Sequence, residues 1–142
     1  MIYLCRPELA EVSGPIRRSL VRASGSSSPG QNQHGIEGFS HLLIIWVFDR
    51  ANGFDLIGIP PTDNRQHGVF ATCSPRRPNP IGLTVVQLLR REGPLLHVQG
   101  LDMLDGTPIL DIKPYLSGIQ PDLLRRGWMA EAEARTSSSS TI

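Results

Sequence analysis

Three prolines within six residues constrain this chain more than any other feature of its sequence. They lie at positions 75, 78 and 80 of the segment Gly68–Gly82, G-V-F-A-T-C-S-P-R-R-P-N-P-I-G. Each proline fixes φ at about −65°, removes a backbone donor and favours an extended conformation in the residue before it. The segment therefore cannot form a helix or a central strand. We predict a stiff irregular loop between two apolar runs, and such a loop loses little entropy when it binds a ligand.

The polar side chains of this loop allow two interpretations. They suit ligand binding, and they are Ser74, Arg76, Arg77 and Asn79. Alternatively, the segment is a proline-rich surface turn whose arginines are solvated, and composition alone favours this second interpretation.

Length and charge limit the classes of protein that fit. A chain of 142 residues is long enough for one domain with a core, and two independent cores would be unusual. A hydrophobic content of 39% is ordinary for a globular protein, and a net charge of +1 gives no overall attraction to nucleic acid. Since Lys113 is the only lysine, recognition of phosphate or carboxylate would depend on arginine, whose planar group donates as a fork.

Several kinds of site find no support in the sequence. Cys5 and Cys73 are far apart and match neither a metal-binding nor a disulfide pattern, so we expect reduced thiols, no metal and a cytoplasmic location. No apolar run approaches the roughly 20 residues of a membrane span, and we expect neither a secretory signal nor a membrane partner. The glycine-rich Rossmann motif, the P-loop and G-x-S-x-G are also missing, which argues against an ordinary Rossmann cofactor site.

The hydrophobic pattern predicts a mainly β protein. His41–Phe48, H-L-L-I-I-W-V-F, is β-branched and aromatic and apolar on both faces, which indicates a central strand. Residues 81–91 and 95–101 are separated by Glu92-Gly93-Pro94, a turn sequence that predicts a hairpin. Asp105-Gly106 predicts a second turn, and the strand after it ends at Lys113. We expect roughly four to six strands to close into a small β-barrel, because closure removes exposed strand edges.

The N-terminal part of the chain is harder to assign. Residues 2–4 fit a short strand and residues 7–12 a helical turn. Ile16–Val21 fits a strand or a helix equally well. Residues 23–34 are rich in Ser, Gly, Gln and Asn, so we predict a mobile loop there.

The C-terminal part predicts one short helix. Asp122 is a plausible N-cap, apolar residues at near-helical spacing follow it, and we expect the helix to be interrupted or bent at Gly127. The predicted organisation is therefore a barrel domain over residues 1–118, a helical extension over 119–135 and a disordered tail over 136–142.

The segment from Leu101 to Tyr115 concentrates polar side chains. A period of two places Asp111 and Lys113 on one face of the strand, with Tyr115 in register, and Leu110 and Ile112 on the other. One interpretation is an exposed ion pair worth at most about 1 kcal/mol. The other is a binding site, because a D-G-T-P turn exposes backbone groups and a hydroxyl that suit a purine or an amino acid.

Four further residues beside apolar runs are candidates. His41 and His67 are possible general bases near neutral pH, although a histidine at a strand end more often has a structural role. Asp49 and Arg50 directly follow the predicted central strand, where they would either contact a polar ligand or form pairs in solvent.

Three blocks of the sequence closely resemble the TsaA-like family, the tRNA methyltransferase O group. They are G-I-E-G-F-S-H-L at residues 35–42, G-V-F-A-T-C-S-P-R-R-P-N-P-I-G-L-T at 68–84 and L-D-G-T-P-I-L-D-I-K-P-Y at 104–115. The resemblance implies a small, non-Rossmann β-barrel that binds S-adenosylmethionine as a homodimer. It also implies methylation of the N6 nitrogen of N6-threonylcarbamoyladenosine beside the anticodon of tRNA.

The resemblance further implies roles for individual residues. The cofactor contacts would be Asp49, Arg50, Cys73, Leu83, Leu104, Asp105, Gly106 and Thr107. The residues that hold or deprotonate the substrate nitrogen would be Asp111, Lys113 and Tyr115. The residues that contact tRNA would be Arg76, Arg77, Asn79 and His41.

Two departures from the family pattern leave a second function open. Cys73 stands in A-T-C-S-P where the family has arginine, so a cation and its fork of donors are lost. The family's opening I-G-x-I strand and its proline-arginine-glutamine element are missing from residues 1–34, which would leave the barrel one strand short. The alternative is a non-catalytic member that binds S-adenosylmethionine, a nucleotide or RNA without turnover.

Overall fold

The computed structural model describes residues 2–7, 18–24, 33–116 and 118–139. They belong to two compact units, one formed by Met1–Ala51 with Asn79–Leu116 and the other by Asn52–Pro78 with Ser117–Ile142. This division differs from the sequence-based boundaries, because residues 52–78 group with the C-terminal segment and not with the barrel. Among the described residues, no helix is long and apolar enough to cross a membrane.

The first unit is a β-barrel, as the sequence predicts. The strands of the described residues are β1 (Ile2–Pro7), β2 (Arg18–Ser24), β3 (His41–Val47), β4 (Ile57–Gly58), β5 (His67–Gly68), β6 (Ile81–Glu92), β7 (Leu95–Gln99) and β8 (Pro108–Pro114). Six of them pair in the antiparallel order β1-β2-β7-β6-β3-β8, and β1 also pairs with β8, which closes the sheet. The described strands of the first unit therefore form a closed barrel.

Strand β3 is the central strand that the apolar run predicts. It pairs with β6 on one side and β8 on the other. Leu42, Ile44 and Trp46 are buried in the barrel, whereas the residues between them are only half-buried. The difference arises because a closed barrel buries only its inner face. The core consists of Val21, Leu42, Ile44, Trp46, Val86, Leu96, Val98, Leu101 and Ile109.

The two predicted turns have different outcomes. The hairpin across Glu92-Gly93-Pro94 is confirmed, because β6 and β7 are antiparallel neighbours. The turn at Asp105-Gly106 is also confirmed, but it does not join two paired strands: β7 ends at Gln99, and β8 pairs with β3 and β1. Gly106 does have the positive φ of +79° that a turn requires. The residues of a turn therefore predict its local geometry, but they do not determine which strands pair on either side of it.

A β-bulge changes the faces of β8. Asp111 lies opposite Ile45, but Ile109 lies opposite Trp46, so Leu110 is an extra residue in the ladder. Leu110 is consequently 45% exposed, although the alternation predicted it on the inner face. An inserted residue breaks the period of two on which that prediction depended.

The structure describes only part of the N-terminal segments for which predictions were made. Residues 2–4 belong to β1, and the ambiguous segment Ile16–Val21 is represented by β2, which is a strand and not a helix. Most of the helical turn predicted over 7–12 and most of the mobile loop predicted over 23–34 lie outside the described residues. The prediction of a mobile loop is wrong at Gln33, which is buried and donates from Nε2 to the Pro94 carbonyl oxygen at 3.1 Å.

The second unit combines the β4–β5 pair with helix α1, Trp128–Ser139. The predicted helix start at Asp122 is wrong. Pro121–Leu123 forms only one 3₁₀ turn, and Gly127 has a φ of +55° that separates this turn from α1. The helix also includes residues 136–139 of the predicted disordered tail, where Thr136, Ser137 and Ser138 donate hydroxyl hydrogen bonds to carbonyl oxygens four residues earlier.

The side chain of Asp63 joins the 52–78 segment to α1. It has no solvent exposure, and it accepts hydrogen bonds from Arg65 Nε at 3.1 Å, from Arg135 Nη2 at 2.6 Å and from the Asn64 backbone at 2.8 Å. His67 Nε2 lies 2.8 Å from the same carboxylate. The hydrogen bond to His67, followed by those to Asn64 and Arg65, lowers the pKa of Asp63 to about 2. The carboxylate is therefore ionised at neutral pH and fixes the second unit.

Candidate functional site

The end of β3 and the D-G-T-P turn meet in the first unit. Arg50 follows β3, and its Nη2 donates to the Asp105 carbonyl oxygen at 3.0 Å across fifty-five residues of sequence. Thr107 donates to the Leu104 carbonyl oxygen from its backbone nitrogen at 3.2 Å and from its hydroxyl at 2.6 Å. The turn, whose third residue is Gly106, is therefore held both by its own threonine and by an arginine that follows β3.

These contacts decide what the turn offers to a ligand. Leu104 is 61% exposed, and Asp105 and Gly106 are also exposed. Thr107 is buried and uses its hydroxyl proton within the turn, so it offers a ligand only oxygen lone pairs. Asp49 is exposed, and its carboxylate has no hydrogen-bond or ion-pair partner within the described ranges. The surface beside β3 is therefore rich in acceptors.

A chain of hydrogen bonds that the sequence did not reveal leads from the core to this surface. Trp46 Nε1 donates to Thr84 Oγ1 at 3.0 Å, and Thr84 Oγ1 donates to Asp102 Oδ1 at 2.7 Å. Because the hydroxyl has one proton, it accepts from the indole and must donate to the carboxylate. Asp102 is thus held in place two residues before the turn. Its position in L-D-M-L-D-G-T-P was the signal that sequence reasoning did not use.

The glycine of P-N-P-I-G has a steric role beside the same tryptophan. A Cβ added at Gly82 would lie 2.3 Å from Trp46 Cε2. Leu83, the next residue, faces outward from β6 opposite Ile45 and is 62% exposed. The two neighbours therefore have different functions: Gly82 admits the indole ring, and Leu83 presents apolar surface outside the barrel.

The three residues predicted to act on the substrate lie at the end of β8. Lys113 Nζ is 2.8 Å from Asp111 Oδ2, and the Ile112 backbone donates to Asp111 Oδ1 at 2.9 Å. The hydrogen bond from Lys113 lowers the pKa of the Asp111 carboxyl. Tyr115 is 46% exposed, and its backbone nitrogen donates to the His41 carbonyl oxygen at 3.1 Å. The geometry is that of a half-exposed ion pair with a tyrosine nearby.

The proline loop is fastened within the second unit by its own arginines. Arg76 donates from Nε to Asp55 Oδ2 and from Nη1 to the Asn52 carbonyl oxygen, both at 2.7 Å. Arg77 Nη1 donates to the carbonyl oxygens of Thr72 and Ser74 at 2.9 and 3.3 Å. Both guanidinium groups retain further N–H donors. The arginines therefore shape the loop, and they are not simply solvated as one interpretation of the sequence had it.

The remaining candidates have few contacts. His41 is exposed, with Nδ1 2.9 Å from Ser40 Oγ, and Asn79 is exposed in the first unit. His67 stacks on Trp128 with ring centroids 4.3 Å apart and contacts the buried Asp63, so its role is structural. In the part of the chain that the structure describes, no group of His, Cys, Asp or Glu side chains is suited to hold a metal ion.

A cavity of about 640 Å³ lies within the second unit. It is bounded by the 52–78 segment and by the first residues of α1, Trp128 and Met129. Cys73, which the sequence assigned to the cofactor, is an exposed free thiol in its lining. The contribution of α1 was missed because an apolar residue at helical spacing is ordinarily a core residue.

Comparisons with known proteins identify one family. The chain matches the family model of the tRNA-methyltransferase O N-terminal domain over residues 16–120. A probable S-adenosyl-L-methionine-binding protein of Archaeoglobus fulgidus is 53% identical over 102 residues, which are 71% of this chain and 28% of that protein. The tRNA (adenine(37)-N6)-methyltransferase of Mus musculus is 40% identical over 100 residues, which are 68% of this chain and 23% of that protein.

Solved structures are similar as well. The crystal structure of TrmO from Pseudomonas aeruginosa is 33% identical and superposes with a TM-score of 0.63, covering 79% of this chain and 49% of that one. The chain spans about half the length of this protein and less of the two sequence relatives.

Proposed function

The chain belongs to the tRNA-methyltransferase O family through its N-terminal domain, and we propose that it binds S-adenosyl-L-methionine and directs methyl transfer to an adenine of tRNA. The finer proposal is that the acceptor is the N6 nitrogen of N6-threonylcarbamoyladenosine beside the anticodon. One structural observation carries the proposal: the 3.0 Å bond from Arg50 to the Asp105 carbonyl oxygen, which joins the two first-unit segments that the resemblance assigns to the cofactor. We expect such a protein to act in the cytoplasm.

The groups on this surface fit the cofactor's chemistry. S-adenosyl-L-methionine supplies an electrophilic methyl group on a sulfonium, and its amino and hydroxyl groups are hydrogen-bond donors. Asp49 offers a carboxylate without a described partner, and Asp105 and Gly106 offer exposed turn backbone. Leu83 and Leu104 offer exposed apolar surface, each more than 60% exposed, for a base. An acceptor-rich surface bordered by leucines suits a ligand of this kind.

The residues at the end of β8 would orient the acceptor nitrogen. The hydrogen bond from Lys113 lowers the pKa of the Asp111 carboxyl, which is ionised at neutral pH and can accept a hydrogen bond from the N6 N–H group. Because its pKa is lowered, Asp111 is a weak base and its contribution would be orientation. Tyr115, also exposed, would contact the base or its substituent. Methyl transfer depends chiefly on in-line positioning of nucleophile and methyl carbon, which this arrangement would serve.

A second candidate function is a binder without turnover. Cys73 favours it, because an exposed thiol replaces the arginine that the family pattern has at this position. A thiol is a weak donor and carries no fixed positive charge, whereas arginine offers a planar fork of donors. Cys73→Arg should therefore tighten S-adenosyl-L-methionine binding, and an unchanged Kd would show that position 73 does not contact the cofactor.

The main test separates binding from catalysis. Isothermal titration should detect S-adenosyl-L-methionine binding, and Arg50→Ala should weaken it about tenfold, because the turn loses a bond of about 1 kcal/mol or more. Arg90→Ala is the matched control, since Arg90 is exposed on the same barrel and pairs with Glu92. Methyl transfer is then measured on threonylcarbamoylated tRNA. Binding without transfer would support the binder, and the absence of S-adenosyl-L-methionine binding would refute both the methyltransferase and a binder of this cofactor.

The outer face of β6 supports the proposal of a homodimer. Ile81, Leu83 and Val85 alternate along this face and are 47%, 62% and 40% exposed. They lie opposite half-buried apolar residues of β3, so the face is a continuous apolar surface. A flat strand surface of this kind suits a second copy of the same chain in an isologous contact. Val85→Asp should convert the dimer to a monomer in light scattering, and a wild-type monomer would refute this assignment.

A further inference from the structure

The carboxylate of Asp102 is a polar group of the first unit to which no role has been assigned so far. Its Oδ1 accepts the hydroxyl proton of Thr84 at 2.7 Å, whereas its Oδ2 has no hydrogen-bond or ion-pair partner among the described residues. The side chain of Asp102 is exposed, although Thr84, which holds it, is only 9% exposed. One carboxylate oxygen is therefore fixed from inside the barrel, and the other is available to a ligand.

Asp102 is held in one position before any ligand binds. Trp46 Nε1 donates to Thr84 Oγ1 at 3.0 Å, and this bond fixes the direction in which the hydroxyl proton of Thr84 points. The residues on either side of Asp102 in the sequence, Leu101 and Met103, pack in or against the barrel core, so the backbone is anchored there. A carboxylate that is already ordered loses little conformational entropy when it binds a ligand.

The position of Asp102 relates it to the two leucines proposed to contact the base of the cofactor. Thr84, which binds Asp102, directly follows Leu83 in β6, and Leu104 follows Asp102 by two residues and begins the turn. Both leucines are more than 60% exposed. The carboxylate is therefore one residue from the first leucine, through its bond to Thr84, and two residues from the second. A sugar joined to a base at these leucines would come close to it.

We propose that Asp102 binds the ribose hydroxyl groups of S-adenosyl-L-methionine. The inference rests on the proposed function for the identity of the ligand. A ribose carries two neighbouring hydroxyls that donate hydrogen bonds, and an ionised carboxylate accepts without donating. An acidic side chain binds the ribose of dinucleotides by the same chemistry. The other strong donor of the cofactor, its ammonium group, lies at the end of the molecule that is far from the base, whereas Asp102 lies near the leucines proposed for the base.

The test compares ligands that differ in a single ribose hydroxyl. S-adenosyl-L-homocysteine is titrated calorimetrically beside its 2′-deoxy and 3′-deoxy analogues, and the ratio of the Kd values reports the contact to each hydroxyl. We expect wild type to bind the complete ribose about tenfold more tightly than the deoxy analogues, because a hydrogen bond to a charged group contributes at least this factor. Asp102→Asn keeps an acceptor for Thr84 but loses the charge and one acceptor, so its preference should be severalfold smaller.

Thr84→Val is the milder second variant: it should also reduce the preference, because the carboxylate is no longer held, and Thr84→Ser should restore it. Glu37→Gln is the matched control and should keep the preference, since it removes the same charge from an exposed side chain that pairs with Arg91 near the other end of β6.

The possible outcomes separate this inference from the proposed function. If Asp102→Asn weakens all three ligands equally, its carboxylate binds a group other than the ribose, and the inference is refuted while the proposed function stands. The same conclusion follows if wild type binds the three ligands with equal affinity. If wild type binds neither S-adenosyl-L-methionine nor S-adenosyl-L-homocysteine, the proposed function and the inference fail together.

Discussion

Replacing Gly82 by alanine tests why the P-N-P-I-G sequence ends in glycine. The added Cβ would lie 2.3, 2.5 and 2.7 Å from three atoms of the Trp46 ring, whereas ordinary carbon contacts are about 3.5 to 4.0 Å. The ring would therefore have to move by roughly 1 Å. It is 7% exposed, it packs edge-on against Phe48 with centroids 4.3 Å apart, and it is tied to Thr84 by a hydrogen bond of 3.0 Å.

The cost of Gly82→Ala follows from these contacts. Overpacking a core by one methyl group costs about 1 to 3 kcal/mol, and the strained indole hydrogen bond adds about 1 kcal/mol. We expect a loss of about 2 to 4 kcal/mol in the free energy of unfolding, measured by urea titration with tryptophan fluorescence.

Gly68→Ala is the control for the change in backbone entropy. Gly68 has an extended φ of −62°, and its added Cβ meets nothing, so alanine should be neutral or stabilise the protein by about 0.4 to 1 kcal/mol. The reasoning is refuted if Gly82→Ala remains within about 0.5 kcal/mol of wild type, or if both variants lose the same stability.

Three other predictions concern polar contacts. Thr84→Val should cost about 2 kcal/mol in urea unfolding, because it leaves the buried indole donor of Trp46 without an acceptor, and Thr84→Ser should restore most of it. The pKa of Asp63 falls from 3.8 to about 2 on folding, so its contribution to the free energy of unfolding is complete above pH 3.8 and is lost as the pH falls through about 2. In acid titrations, the free energy of unfolding of Asp63→Asn should therefore depend less on pH in that window than that of wild type. Lys113→Gln should raise the pKa of Asp111 towards its ordinary value in a carboxyl NMR titration, and an unmoved pKa would contradict the ion pair.

The parts of the barrel that sequence predicts are those fixed by local patterns. The run His41–Phe48 predicts β3, because continuous apolar residues of this length have to be covered by neighbouring strands. The β6–β7 hairpin follows from a turn sequence between two apolar runs. Arg50 and Asp105 are assigned to one site by resemblance alone, and their hydrogen bond is a tertiary contact that no pattern of spacing reports; their role in cofactor binding stays a prediction.

The predictions that failed involve long-range contacts or inserted residues. The sequence of β2 fits a strand or a helix because its outward arginines interrupt the apolar pattern. Its pairing with β1 and β7, which the sequence does not report, makes it a strand. Leu110 was assigned to the wrong face because a bulge is invisible to a strict period of two. The cavity could not be predicted because Trp128 reaches the loop through Ala71, fifty-seven residues away in sequence.

The second unit shows how a segment whose sequence predicts a loop obtains a fixed structure. Residues 52–78 contain only two short strands, so few backbone hydrogen bonds hold them. The buried carboxylate of Asp63 compensates, because one side chain collects donors from its own loop and from Arg135 of α1. Removing one partner of a buried charge leaves the rest uncompensated, so the contacts should fail together. The helix, the loop and the cavity between them therefore depend together on Asp63, although this residue is absent from the lining of the cavity.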